Sequence, residues 1–255
     1  MRDLDAGATG LLGDAEISEI GSLLADRARC RVLMALNDGR ALPASVLADE
    51  AGITRSTASS HLGKLADAGL LRVETHGRHR YYRLAGPQVG ELLETLIRMA
   101  PARPVRSLRD GNRAARLRQA RTCYDHLAGR LGVEIMAGLI GQGHLEGGDG
   151  VFHPEQAEHD QVRGYGSDLE YTLTPSGEAF LADLGVQMAG GKRRFIRYCV
   201  DWSEQRHHLA GALGRGLLER FLAAQWVFRQ ERGRMLRVTD QGRDVLLERF
   251  HLTWQ

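Results

Sequence analysis

Ile53-Thr54-Arg55-Ser56-Thr57-Ala58-Ser59-Ser60-His61-Leu62-Gly63-Lys64-Leu65 is the stretch from which the rest of the chain can be organised. Ala58, Leu62 and Leu65 recur at helical spacing as a buried stripe, and Thr54 stands where a helix N-cap is wanted. Arg55, Ser56, Ser59, Ser60 and Lys64 then project outward. Serines on an exposed helix face have no packing reason to be there. They do suit the major groove of duplex DNA, where short polar side chains reach base edges and cations neutralise phosphates. Thr54, Arg55, Ser56, Thr57, Ser59, Ser60, His61 and Lys64 are therefore the candidate DNA contacts, with Arg55 fitted to a guanine edge.

The surroundings complete a winged helix-turn-helix. Apolar spacing predicts one helix over residues 15–37, ending at Asp38-Gly39, and a shorter one over residues 42–51, closed by Gly52, that braces the recognition helix. Downstream, residues 71–75 and 80–84 read as two strands around His76-Gly77-Arg78-His79. This hairpin has a basic tip, so Arg78 and Arg80 are expected at the minor groove or at phosphates. A further helix over residues 91–100 is followed by Pro101 and Pro104, which mark a boundary. The net charge is only +2, yet residues 52–83 hold six Arg/Lys against two acids, and residues 101–121 hold seven Arg against Asp110. Local stripes of this kind attract phosphates whatever the total charge, although a solvated helix face explains the second equally well.

The run from Ile53 to Leu62, followed by Ala68-Gly69-Leu70 and the basic hairpin, resembles the recognition helix and wing of the ArsR/SmtB family of winged-helix repressors. The resemblance covers residues 15–100. It implies a homodimer on a palindromic operator, released when an effector binds. Two departures stand out: Leu42-Pro43-Ala44-Ser45-Val46-Leu47 lacks the Cys-x-Cys pair of metal-sensing members, and residues 91–100 contain no His for the other common metal site of the family.

The C-terminal half contains a repeat. His126-Leu127-Ala128-Gly129-Arg130-Leu131-Gly132 returns as His208-Leu209-Ala210-Gly211-Ala212-Leu213-Gly214. Strand-like segments follow at His144 and Trp226, and Leu173-Thr174-Pro175-Ser176-Gly177 is matched by Val238-Thr239-Asp240-Gln241-Gly242, each opening a helix. The first copy alone carries a Gly-rich insertion, residues 147–167, read as a mobile loop. The expected fold is mainly α, a winged helix-turn-helix followed by a helical region of two repeated winged-helix-like units. The expected domains are 1–100 for DNA binding, 101–121 as an Arg-rich connector, and 122–255 for effector sensing and dimerisation, with copies at 122–190 and 198–255.

Each copy places a thiol beside polar groups: Cys123, Asp125 and His126 in one, Cys199, Asp201, His207 and His208 in the other. Packed about a pseudo-twofold axis, they form a donor set for a thiophilic metal or metalloid ion, with Cys123 and His126 placed on one helix face by their spacing. A second reading makes Cys123 and Cys199 a redox pair. A third is plain packing, since free cysteine is among the most often buried residues. Phe195, Tyr198, Trp202 and Trp226 suggest instead an apolar pocket for a small organic effector.

Composition bounds the rest. With 43% apolar and 26% charged residues the chain can bury a core. No apolar run approaches the roughly 20 residues that cross a bilayer, and residues 1–13 lack the features of a signal peptide, so a cytoplasmic protein without membrane partners is expected. Three widely spaced cysteines do not make a secreted disulfide framework. Hydrolase elbows, P-loops and His-Glu-x-x-His are absent, which argues against an enzyme. A scaffold with a degenerate winged helix is disfavoured by the intact basic hairpin.

Overall fold

Asp26 divides the first helical stretch in two. Its side chain accepts a hydrogen bond from the Arg29 amide at 2.8 Å, so one helix, α1 (Ser18–Leu24), ends and a second, α2 (Arg27–Leu36), begins at a capping carboxylate. This corrects the single helix expected over 15–37. The computed structural model describes residues 17–77, 79–101, 107–153, 169–187, 195–230 and 233–255. Arg78, Pro104 and most of the expected Gly-rich loop lie outside the described residues.

Leu42 and Pro43 form β1 rather than the start of a helix, because proline supplies no amide donor and disfavours helical geometry in the residue before it. Helix α3 (Ala44–Ala51) follows and is stopped by Gly52, whose φ of 69° is a left-handed conformation that glycine adopts without cost. Helix α4 (Arg55–Asp67) leads into β2 (Leu71–His76) and β3 (His79–Leu84), paired antiparallel from Leu71↔Leu84 to His76↔His79. β1 joins the far side of β3 through Leu42↔Tyr82, giving the order β1-β3-β2. Helix α5 (Pro87–Met99) starts earlier than the apolar spacing indicates, since Pro87 is well tolerated in a first helical turn. Leu33, Leu36, Leu47, Leu62, Leu65 and Leu84 are the fully buried centre of this part.

Beyond it, α6 (Leu108–Gln119) occupies the expected connector. Then β4 (Arg121–Cys123) and β5 (His126–Ala128) pair as a hairpin leading into α7 (Gly129–Gly141). β6 (Leu145–Glu146) pairs with β7 (Thr172–Leu173) ahead of α8 (Pro175–Asp183). A further hairpin, β8 (Arg197–Val200) with β9 (His207–Ala210), leads into α9 (Gly211–Ala223). Last, β10 (Val227–Arg229) pairs with β11 (Leu236–Val238) ahead of α10 (Asp240–Phe250). Thr174 and Thr239 cap α8 and α10 by accepting from Gly177 and Gly242 amides at 3.1 and 2.9 Å. A second apolar cluster, with Leu131, Met136, Leu213, Phe221, Leu246 and Phe250 at its centre, holds these elements together.

The two clusters are joined by polar contacts. Tyr124, in the β4–β5 turn, donates its amide to the Asn37 carbonyl at 3.2 Å, and Asn37 Nδ2 donates to Glu94 Oε1 at 2.8 Å. Glu94, buried on α5, also pairs with buried Arg234. Burial alone would raise the Glu94 pKa, but Arg234 and Arg121 hold it below its ordinary value. Arg229 donates to the Asp38 carbonyl at 2.9 Å, and Arg197 pairs with Glu91 at 2.7 Å.

Candidate nucleic-acid interface and thiol–imidazole cluster

The turn Gly52–Thr54 sets α4 against α3. Thr54 accepts a hydrogen bond from the Thr57 amide at 3.2 Å, while Ala58, Leu62 and Leu65 anchor the inner stripe with no exposure. The opposite face carries Arg55, Ser56, Thr57, Ser59, Ser60 and Lys64, all exposed. The Thr54 hydroxyl lies 3.0 Å from that of Ser56 and 2.9 Å from that of Thr57 at the helix start. That is where backbone amides and the helix dipole favour an anionic group. His61 differs from its expected role. It is half-buried, with Nε2 3.8 Å from Asp26 Oδ1, because its position on the helix turns it toward the cap of α2 rather than outward.

On the wing, Arg80 is exposed and lies over the Tyr82 ring at 5.8 Å, which presents its charge beside the hairpin tip. Arg83 is spent on Glu74 at 2.9 Å. In the connector, Arg121 is fully buried, so it leaves the basic stripe counted in the sequence.

The second site lies where the β4–β5 and β8–β9 hairpins meet. Cys123 faces His126 across one hairpin and Cys199 faces His208 across the other. One donor atom from each of these four residues lies within 4.8 Å of the other three. The expectation that Cys123 and His126 share a helix face is corrected: Tyr124, at a φ of 55°, makes a tight turn with Asp125 and the pair sits on opposed strands. Cys199 and His208, distant in sequence, are joined by the same device. The Cys-x-Asp stretch that precedes each His-Leu-Ala-Gly extends one step further than the sequence reading takes it, to Arg121-Thr122-Cys123-Tyr124-Asp125 and Arg197-Tyr198-Cys199-Val200-Asp201.

The aspartates stand behind the rings. Asp125 Oδ1 lies 3.3 Å from His126 Nδ1, and Asp201 Oδ2 lies 3.1 Å from His208 Nδ1. Asp201 is also bound by Arg121 at 2.7 Å and by the Gly129 amide at 2.7 Å. Burial opposes its ionisation, yet His208 and Arg121 hold its carboxyl far below the usual range. The adjacent Cys199, reinforced by burial, pushes the Cys123 thiol well up. Burial disfavours the charged form of His126, but Cys123 and Asp125 outweigh it and raise the ring to about 9; Asp201 and Cys123 likewise raise His208 against burial. His207 is not part of this group, since its Nδ1 lies 2.8 Å from the Tyr171 hydroxyl on the other side of β9.

The aromatic residues do not form the expected pocket. Tyr198 and Trp226 are buried in the apolar cluster with Phe195 packed against it, and Trp202 stacks on Arg121 at 4.6 Å. Among the described residues, no helix is long and apolar enough to cross a membrane.

Residues 24–74 match a family described as a helix-turn-helix domain. The chain is 42% identical over 230 residues to YdfF of Bacillus subtilis, an uncharacterized HTH-type transcriptional regulator, covering 89% of this chain and 93% of that protein. It is 37% identical over 89 residues to the HTH-type transcriptional regulator CmtR of Mycobacterium tuberculosis, covering 35% of this chain and 75% of that one. An NMR structure of the cadmium metal-sensor CmtR from the same organism matches 35% of this chain and 93% of its own, at 37% identity and a TM-score of 0.29.

Proposed function

Because the chain belongs to the helix-turn-helix transcriptional regulators and resembles the ArsR/SmtB family in its recognition helix and wing, we propose that it is an operator-binding repressor whose grip on DNA is released by an effector held in its C-terminal half. It is a DNA-binding transcriptional regulator. The observation that carries the reading is the exposed face of α4, where Arg55, Ser56, Ser59, Ser60 and Lys64 stand clear of the core with the Arg80 wing as a second contact. In this reading α4 enters the major groove, Arg55 reads a base edge, and Arg80, with Arg78 outside the described residues, grips phosphates.

The repressor acts as a homodimer in the cytoplasm and performs no catalysis. Ile17 and Met99, 78% and 77% exposed, together with Leu96, leave apolar surface at the start of α1 and along α5 for a second copy. Two recognition helices then meet half-sites about 34 Å apart on a palindrome. Residues 1–100 bind DNA, 101–121 connect, and 122–255 sense. The last region is read as two related units, supported by the matched Thr174 and Thr239 caps and by the two Cys–His hairpins.

The test is binding of the full chain to duplexes selected from a random pool. The reading expects one preferred palindrome and a log–log salt slope near −0.9 per phosphate neutralised. Binding that ignores both sequence and salt would refute it.

A further inference from the structure

We propose that Cys123 Sγ, Cys199 Sγ, His126 Nε2 and His208 Nε2 form a tetrahedral site for a thiophilic divalent metal ion, and that this ion is the effector. The second half of the proposal rests on the repressor reading above; the first stands on the geometry of the cluster alone.

The donors are already gathered. Two cross-strand pairs from separate hairpins bring four ligand atoms within 4.8 Å of one another. In a tetrahedral Cys₂His₂ site, with metal–sulfur bonds near 2.3 Å and metal–nitrogen bonds near 2.0 Å, ligand atoms stand about 3.3–3.8 Å apart, so ligation asks the widest pair to close by about 1 Å. Glycines let the hairpins come this near. A Cβ on Gly214 would lie 3.1 Å from His126 Cβ, and one on Gly132 would lie 3.4 Å from His208 Cβ.

The imidazoles are oriented for ligation. Both Nε2 atoms are buried without a hydrogen bond, an unfavourable state for a polar atom that coordination relieves. His126 Nδ1 is hydrogen-bonded to Asp125, the outer-shell arrangement that turns Nε2 toward a metal, while His208 Nδ1 lies 3.1 Å from Asp201 Oδ2 without hydrogen-bond geometry. A cleft of about 140 Å³ between α5 and the hairpins reaches Cys123, His126 and Cys199 and supplies an entry path.

Charge selects the ion. On binding, the two thiols and each protonated imidazole release a proton to solvent, and two thiolates with two neutral imidazoles balance a dication. A buried site then carries no net charge of its own, whereas a monovalent or trivalent ion would leave one uncompensated. Thiolate and imidazole donors favour zinc, cadmium or cobalt over magnesium or calcium.

The cluster is also tied to the DNA-binding part. Tyr124 separates the ligand Cys123 from Asp125, the outer-shell partner of His126. Its amide is bonded to Asn37 at the end of α2, and a Cβ on Gly90 of α5 would lie 3.0 Å from Tyr124 Cβ. Closing the site pulls on a turn wedged between two helices of the winged domain.

The experiment uses the full chain, reduced, freed of metal by chelation and titrated with Co²⁺. The proposal expects one ion per chain, tetrahedral d–d absorption, and a thiolate charge-transfer band that Cys123→Ser and Cys199→Ser each roughly halve while Cys30→Ser leaves it intact. Asp125→Asn keeps the band and weakens binding about 10–100-fold. Far-ultraviolet circular dichroism of each variant separates loss of ligand from loss of fold, and half-buried Cys199 is the milder site. Zn²⁺ should then weaken duplex binding by about tenfold or more in the parent and not in either ligand variant. A spectrum without tetrahedral bands, or one unchanged in both cysteine variants, overturns the site, as does a Cys123–Cys199 disulfide that forms in a chain taking up no metal when reduced. Metal uptake with unchanged DNA affinity overturns the effector role. Failure of the metal-free chain to bind any duplex would instead refute the repressor reading, and the Co²⁺ result would still decide the site.

Discussion

The Tyr124 amide donates to the Asn37 carbonyl at 3.2 Å, fastening the turn between Cys123 and His126 to the end of α2. Asn37 in turn donates to Glu94, which holds Arg234. A short polar chain thus runs from the thiol–imidazole cluster through α2 and α5 to the β10–β11 hairpin.

Glu94 is the centre of that chain. Glu94→Gln leaves Arg234 buried without its counter-charge and should cost about 3–5 kcal/mol in denaturant unfolding. The pH dependence follows from the lowered Glu94 pKa. The contribution is complete above the unfolded value of 4.5 and fades as pH falls through the lower folded value. The parent should therefore lose its advantage over Glu94→Gln in acid, and a constant difference down to pH 2–3 would contradict the assignment.

Close approach at α7 and α9 gives a second expectation. A Cβ on Gly132 would lie 2.5 Å from the Leu127 carbonyl oxygen, and on Gly214 2.4 Å from that of Leu209. Gly132→Ala and Gly214→Ala should each cost about 1–3 kcal/mol. Gly141, with nothing within 4 Å of an added Cβ, serves as the control. Gly141→Ala should be neutral or raise the melting temperature slightly.

The wing is tested by Arg80→Ala. Its exposed guanidinium should matter equally for operator and random DNA, with the salt slope reduced by about 1. Selective loss on the operator would mean that Arg80 reads bases instead.

The exposed apolar surface of α5 tests assembly. Leu96→Asp together with Met99→Asp should leave the fold intact and shift sedimentation from dimer to monomer. An unchanged dimer would place the interface elsewhere.

Much of the winged domain was legible because its signals are local. Thr54 ahead of Ala58, Leu62 and Leu65, and the alternation before Leu84, depend on near neighbours alone. Asp26 sits in apolar spacing that runs on through both sides of it and so hides its capping role. The cluster was only half legible. Residue types and repeat pointed to Cys123, His126, Cys199 and His208, but strand pairing between Cys199 and His208 depends on a hairpin whose turn carries no Asn-Gly or Asp-Gly signature. His207 is indistinguishable from His208 in the sequence, since adjacent residues point to opposite faces only once the strand is known. Arg121 looks like surface charge in the sequence because nothing there announces its distant partner Asp201.

The most direct test of the central claim is competition fluorescence anisotropy at fixed salt, comparing the selected operator with scrambled duplex for the parent and for Arg55→Ala. Arg55 should supply about 1–3 kcal/mol of discrimination, so the variant should lose affinity for the operator while keeping nearly all of its affinity for scrambled DNA. Equal losses on both duplexes, or none on either, would contradict a base-reading α4.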